Sequence, residues 1–182
     1  MKKYFWHNSH RLKNYNYSSN GSYFITICVK NRECLLGDIV AGDSLGAQQI
    51  NNPNDLIYQK ATNAKMILSD YGEITKKYID SSNTAYENLK VDNYVIMPNH
   101  IHIILSVNNN VLICKSKPWH DIIPTYVSSL KSLITKEIGF PVFQRNYHDH
   151  IIRDENEYEK IWNYIETNVS NWVADRFYMF SV

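Results

Sequence analysis

The chain reads as an α+β domain: a ferredoxin-like (split βαβ, RRM-like) antiparallel sheet with helices on one face and one added helix at its C-terminal end. Three observations carry that expectation. Strand-like and helix-like runs succeed one another in the order strand, helix, strand, strand, helix, strand, helix. A length of 182 residues suits a single domain, 1–182. A composition of 44% hydrophobic, 13% aromatic and only 20% charged residues supplies a real core, which argues against disorder and against a disulfide-stapled miniprotein.

Residues 23–30 (YFITICVK) are aromatic and β-branched, come after the Ser19-Asn20-Gly21 turn, and read as a buried strand. Residues 37–54 carry Gly, Asn, Asp and Pro throughout and read as a surface hairpin or loop insertion. Residues 55–81 space Ile57, Ala61, Ala64, Ile67, Leu68, Tyr71, Ile74, Tyr78 and Ile79 by threes and fours, so an amphipathic helix is expected, with Gly72 its weak point. The apolar runs 91–97 and 101–107 meet at Pro98-Asn99, a turn pair, and read as two strands or one strand broken by a tight turn. Residues 121–139 form a second amphipathic helix with Gly139 as its cap. A strand is expected around 142–152, and a last helix over 154–170, opened by Asp154 with Glu157 three residues on.

Charge and cysteines narrow the function classes. Nineteen Lys and Arg against eighteen Asp and Glu leave a net charge of +1, which does not by itself announce a nucleic-acid binder. The distribution says more: no acid precedes Glu33, so residues 1–20 form a basic arm containing Arg11 and Lys13. Three cysteines without a CxxC spacing indicate neither a disulfide framework nor a cysteine zinc site, and fit a reducing cytoplasm. No apolar run approaches membrane-span length, so no membrane partner is expected. A TIM barrel, at about 250 residues, is excluded on length, and with it the hydrolases that hold an HxH pair in such a barrel.

The chemistry concentrates in Met97-Pro98-Asn99-His100-Ile101-His102-Ile103-Ile104-Leu105. On a strand, residues two apart share a face, so His100 and His102 project together while Ile101, Ile103 and Leu105 point into a core. Two such imidazoles are either a bidentate metal grip or hydrogen-bonding residues of a sheet edge. On the last helix Tyr158, Ile161, Trp162, Ile165 and Val169 form an apolar stripe. Tyr164 lies about 110° from its centre, with Asn168 one turn later and nearer the core edge. A tyrosine that attacks a substrate needs such a boundary, packed yet reachable. The second pair, His148-Asp149-His150, could on its own residues bind a metal as well as the first.

Three separated segments, YSSNGSYFITICVKNRECLLGDIV, YVIMPNHIHIIL and FQRNYHDHIIRDENEYEKIWNYI, resemble in order and spacing the REP-associated tyrosine transposases, a branch of the HUH single-tyrosine transposases of the insertion-sequence type, which act on single-stranded DNA. The resemblance runs from about Arg11 to Trp172. It implies that His100 and His102 bind a divalent metal, Mg²⁺ or Mn²⁺, that Tyr164 is the nucleophile, and that Asn168 completes the metal site. Where family members commonly read Asn-Asn-Pro, this chain reads Thr167-Asn168-Val169. The resemblance places the metal at the first HxH, which leaves His148 and His150 structural or DNA-facing.

It further implies a transposase that cleaves and rejoins single-stranded DNA at hairpin-forming repeats through a 5′-phosphotyrosine, without a nucleotide cofactor. Arg11, Lys13, Arg145, Tyr147 and Arg153 are the expected DNA contacts, through phosphates and base stacking. A homodimer is compatible with it, since related enzymes can donate the tyrosine across a dimer. Three rivals stand beside this reading. An RRM-type RNA binder lacks its RNP1 pattern here. The others are a catalytically silent single-stranded nucleic-acid-binding relative and a phosphohydrolase using His100, His102, His148 and His150 with water as nucleophile.

Overall fold

Alternation along two adjacent strands sets the architecture. In a computed structural model, which describes residues 19–40, 64–108 and 122–172, β1 (Gly21–Cys28) lies antiparallel to β5 (His100–Val107) on one side and to β6 (His148–Ile152) on the other. β4 (Leu89–Met97) completes the sheet in the order β4-β5-β1-β6, all neighbours antiparallel. That order is the ferredoxin-like arrangement expected of the split βαβ pattern. One face of the sheet builds a first core, and the other face builds a second.

The first core joins Tyr23, Ile25 and Ile27 of β1 to Ile101, Ile103 and Leu105 of β5, all fully buried. Over it lie α1 (Asp70–Asp80), the short α2 (Ser82–Ala85) and α3 (Ile122–Ile138), whose Ile123, Tyr126, Val127, Leu130 and Ile134 form a stripe at helical spacing. α3 ends where Gly139 takes φ +92° and its N–H bonds Thr135 O at 2.9 Å. On the opposite face α4 (Glu155–Asn171) covers a smaller core of Ile104, Ile152 and Ile165, flanked by Phe24, Val95, Ile161 and Trp162. Asp154 caps α4 by accepting from Glu157 N–H at 2.8 Å, while the Glu157 carboxylate accepts from Arg153 N–H, also at 2.8 Å.

Several boundaries differ from the sequence reading. β1 starts and ends two residues early, because Lys30–Arg32 turns away as a short 3₁₀ segment. The insertion begins as a strand, β2 (Gly37–Val40), paired with β3 (Lys65–Leu68), so the expected helix over 55–81 is shortened to Asp70–Asp80. The physical reason is Ser69: its hydroxyl donates to Leu35 O at 2.6 Å and accepts from Gly72 N–H at 3.2 Å, which caps the helix there. Gly72 is no weakness, since a Cβ would stand 2.1 Å from Leu36 O; its bare backbone lets α1 seat against that loop. Residues 41–63, with the rest of the insertion, lie outside the described residues.

The strand expected over 142–152 is confined to His148–Ile152. Ahead of it Val142 and Phe143 enter the first core through a single bridge from Phe143 to Val29. Pro98 and Asn99 form the two-residue turn between β4 and β5, and both carbonyls are taken: Val29 N–H bonds Asn99 O at 2.8 Å and Leu36 N–H bonds Pro98 O at 3.0 Å. The hairpin that opens on His100 is therefore clamped by the chain leaving β1. Among the described residues no helix is long and apolar enough to cross a membrane, and Cys28 and Cys34 are free thiols.

Ile103 is fully buried in the first core at the centre of β5. Ile103→Ala is expected to lower stability by about 2–5 kcal/mol in denaturant unfolding, through lost transfer energy and the cavity left behind.

Candidate active site

The second face of β5 carries polar residues where a core would be cheaper. His100 and His102 are 3% and 7% exposed, with ring centroids 4.6 Å apart, so two imidazoles are buried side by side. Each is oriented through Nδ1: Asn99 Oδ1 lies 2.7 Å from that atom of His100, and Thr26 Oγ1 lies 2.8 Å from that atom of His102. An amide oxygen can only accept, so the proton of His100 sits on Nδ1 and Nε2 holds the lone pair. Orientation of one ring nitrogen by a polar neighbour is the usual support of a metal-binding histidine.

Both rings are kept neutral. Burial pulls His100 down to about 4, helped by the positive charge of Arg32, and pulls His102 down to about 3, helped by His100. Phe24 stacks on His102 with centroids 5.1 Å apart and closes one side of the ring.

α4 brings the nucleophile candidate to this pair. Tyr164 is 44% exposed, yet its hydroxyl lies 3.3 Å from His102 Nε2. Its ring meets His102 edge-on at 5.3 Å and Phe24 at 6.1 Å. Two turns on, buried Trp172 approaches His100 at 5.8 Å between centroids. Asn168 is midway between these two contacts on the same helical line, so it faces the histidine pair. It is 4% exposed, and its Oδ1 has no hydrogen-bond partner among the described residues. The sequence reading put Asn168 at the edge of the apolar stripe; Ile165, Asn168 and Trp172 are the buried line, and Val169 is only half-buried.

This donor set fits a divalent cation. Two neutral imidazoles and an orphaned amide oxygen are the kinds of ligand that such an ion accepts, and an unpaired buried carbonyl oxygen is costly without a partner. Among the described residues no group of three His, Cys, Asp or Glu is arranged to hold a metal, so Asn168 is the third donor that the pair would require.

The second histidine pair lies on the same face. Thr26 is the cross-strand neighbour of both His102 and His148, and Phe24 is the neighbour of both Ile104 and His150. His150 is engaged elsewhere: its Nε2 lies 2.7 Å from Glu157 Oε1, joining β6 to the first turn of α4. Arg145 and Tyr147 precede edge strand β6 and Arg153 comes after it; both arginines are exposed, whereas Tyr147 packs against the first core. Lys131 Nζ donates to Arg145 O at 2.8 Å and holds that segment to α3. Arg11 and Lys13 lie outside the described residues.

Sequence reasoning did not single out Phe24, Thr26, Asn99, Trp172 or Arg32. Asn99 was adjacent to the motif and readable as more than a turn residue. The others reach the site through strand register and helix packing, which no local pattern encodes.

The geometry agrees with comparison to other proteins. The chain is 34% identical over 187 residues to an uncharacterized protein of Haemophilus influenzae Rd, covering 93% of this chain and 91% of that one, and it belongs to that protein's family. No family model matches the sequence. Among solved structures, a REP-associated tyrosine transposase bound to a REP hairpin has the same fold, with a TM-score of 0.50 and 15% identity over 87% of this chain and 71% of that one.

The buried polar line should govern how stability responds to pH and to substitution. Because His100 and His102 have folded-state values below the unfolded one, the unfolded chain binds more protons between about pH 6.5 and the values of about 3–4, and stability falls as pH drops through that window. Thermal unfolding from pH 7 to pH 4.5 should show this loss, on the order of a few kcal/mol, and His102→Gln should flatten it. Asn168→Leu should raise the melting temperature of metal-free protein, since it removes an orphaned buried oxygen whose desolvation costs about 1–3 kcal/mol; an unchanged or lower value would mean that the amide is satisfied.

Proposed function

We propose that this chain is a metal-dependent transposase that cleaves and rejoins single-stranded DNA at hairpin-forming repeats through a 5′-phosphotyrosine on Tyr164. The observation that carries the reading is the half-exposed Tyr164 hydroxyl 3.3 Å from His102 Nε2, over a buried neutral histidine pair. A hydrolase that uses water needs no phenol there. The fold shared with a transposase that was solved holding a REP hairpin supports hairpin DNA as the substrate class.

In the proposed reaction the Tyr164 hydroxyl loses its proton and attacks phosphorus in line. The new Oη–P bond replaces the P–O3′ bond, and the 3′-oxygen leaves as a hydroxyl. Because one phosphoester replaces another, a later 3′-hydroxyl can rejoin the strand, and no nucleotide cofactor is required. His102, held to about 3, is too weak a base to take the phenol proton by itself. A Mg²⁺ or Mn²⁺ ion held by His100, His102 and Asn168 would supply the missing electrostatics, neutralising phosphate oxygens and favouring the anionic nucleophile. Thr26 and Asn99 fix the two imidazoles, Phe24 and Trp172 limit access of water, and the α4 backbone sets Tyr164 and Asn168 one turn apart.

Tyr164 stands beside the histidines of its own chain, so the chemistry is complete within one protomer and a homodimer is not demanded by it. Exposed Arg145 and Arg153, at the two ends of β6, are suited to phosphate contacts along the sheet edge.

Intact-mass spectrometry tests the proposal. Wild type and Tyr164→Phe are incubated with hairpin oligonucleotides from the DNA flanking the gene, with Mn²⁺ or Mg²⁺. A covalent protein–DNA adduct that needs metal and disappears in Tyr164→Phe is expected. Cleavage that survives the substitution would instead assign hydrolysis by water, and tight binding without cleavage would assign a recognition protein.

A further inference from the structure

The chain leaving β1 brings a cation to the site. β1 ends at Cys28, the cross-strand partner of His100, so these two side chains share the face that holds the histidine pair. The turn after Cys28 is tied down on three sides: Val29 N–H to Asn99 O at 2.8 Å, Lys30 N–H to Val142 O at 2.8 Å, and Arg32 N–H to Val29 O at 3.1 Å. Inside the turn so held, Asn31 and Arg32 have φ of 56° and 60°. Asparagine visits this left-handed region with some ease, but an arginine there is unusual and persists only where its surroundings impose it. Such backbone strain gathers at functional sites.

The result is an arginine that is only partly exposed, with its charge felt at both Cys28 and His100. The two imidazoles are neutral and carry no charge toward a phosphate. His100 and His102 are two residues apart on a strand, about 7 Å along it, which is the span of a phosphodiester linkage. Tyr164 stands at the His102 end of that span and Arg32 acts on the His100 end.

We infer that Arg32 is a catalytic residue of this site, its guanidinium binding the non-bridging oxygens of the scissile phosphate while Tyr164 attacks. The inference rests on the tyrosine-transesterase reading above. Negative charge on those oxygens grows as the Oη–P bond forms and the P–O3′ bond breaks, and a fork of N–H donors matches two of them at once. Arg32 donates hydrogen bonds and moves no proton; the phenol proton passes to solvent.

The test is single-turnover adduct formation by full-length wild type, Arg32→Gln and Arg32→Lys. Each is given a hairpin oligonucleotide whose cleavage position has been mapped with wild type, with either the natural phosphodiester or an uncharged methylphosphonate at that position. Arg32→Gln is expected to slow the phosphodiester reaction about 10²–10³-fold, the range for removing one preorganised donor to a developing oxyanion. Arg32→Lys should recover part of the rate, and on the methylphosphonate the variants and wild type should react alike. Melting temperatures measured alongside should coincide. A wild-type rate in Arg32→Gln would overturn the inference while leaving the adduct chemistry intact. So would equal slowing on both substrates with a lowered melting temperature, which would assign Arg32 to holding the turn. If wild type forms no adduct at all, the inference falls together with the reading on which it rests.

Discussion

Strand β5 is buried on both faces, and the pairing of β1 with β5 is the constraint on which the rest of the molecule depends. Every residue from His100 to Val107 except Ser106 is buried, and their alternation sends Ile101, Ile103 and Leu105 to one core and His100, His102 and Ile104 to the other. A slip of one residue would exchange the faces, placing imidazoles in the larger core and isoleucines under α4. The free energy of the first core thus holds the register that puts Thr26 beside His102 and Cys28 beside His100. A packing interaction on one side of the sheet fixes the hydrogen bonds of a site on the other.

Two backbone devices extend that control. The β4–β5 turn is held by Val29 and Leu36, so the start of β5 cannot drift from the end of β1. α4 is anchored at its first turn by the Asp154 cap and by Glu157, which engages both His150 and the Arg153 N–H. Ile165 packs with Ile104 and Ile152 midway along the helix. Beyond those anchors the helical repeat delivers Tyr164, Asn168 and Trp172 to the histidines in succession. Tyr164 remains accessible because its side of the helix stands at the edge of the small core, beside Phe24.

The site combines features that work against stability: two buried imidazoles, an amide oxygen without a partner among the described residues, and two left-handed residues. Sequences that fold well usually break local rules only where function requires it. Here the departures lie together at one end of the sheet, on β5, the turn after β1 and the end of α4. The opposite face is an ordinary apolar core with helices seated on it.

The sequence by itself determined the α+β class, the order of the main elements, the sharing of one strand face by His100 and His102, and the candidacy of Tyr164. These are consequences of local periodicity, two residues per strand repeat and 3.6 per helical turn, and the turn chemistry of Pro98-Asn99 marked the hairpin without any tertiary knowledge. It misjudged residues 65–68, whose apolar spacing suits a helix as well as a strand, because pairing with Gly37–Val40 and capping by Ser69 outweighed helical spacing. Only the tertiary structure decided that Thr26 and Asn99 orient the histidines, that Asn168 is buried on the inner line of α4, and that the charge of Arg32 reaches the pair. Most of these depend on cross-strand register or on the seating of a helix against a sheet; Thr26 and His102, for example, stand 76 positions apart in the chain. Their energies are set by the assembled cores, and no short window of sequence contains both partners of such a contact.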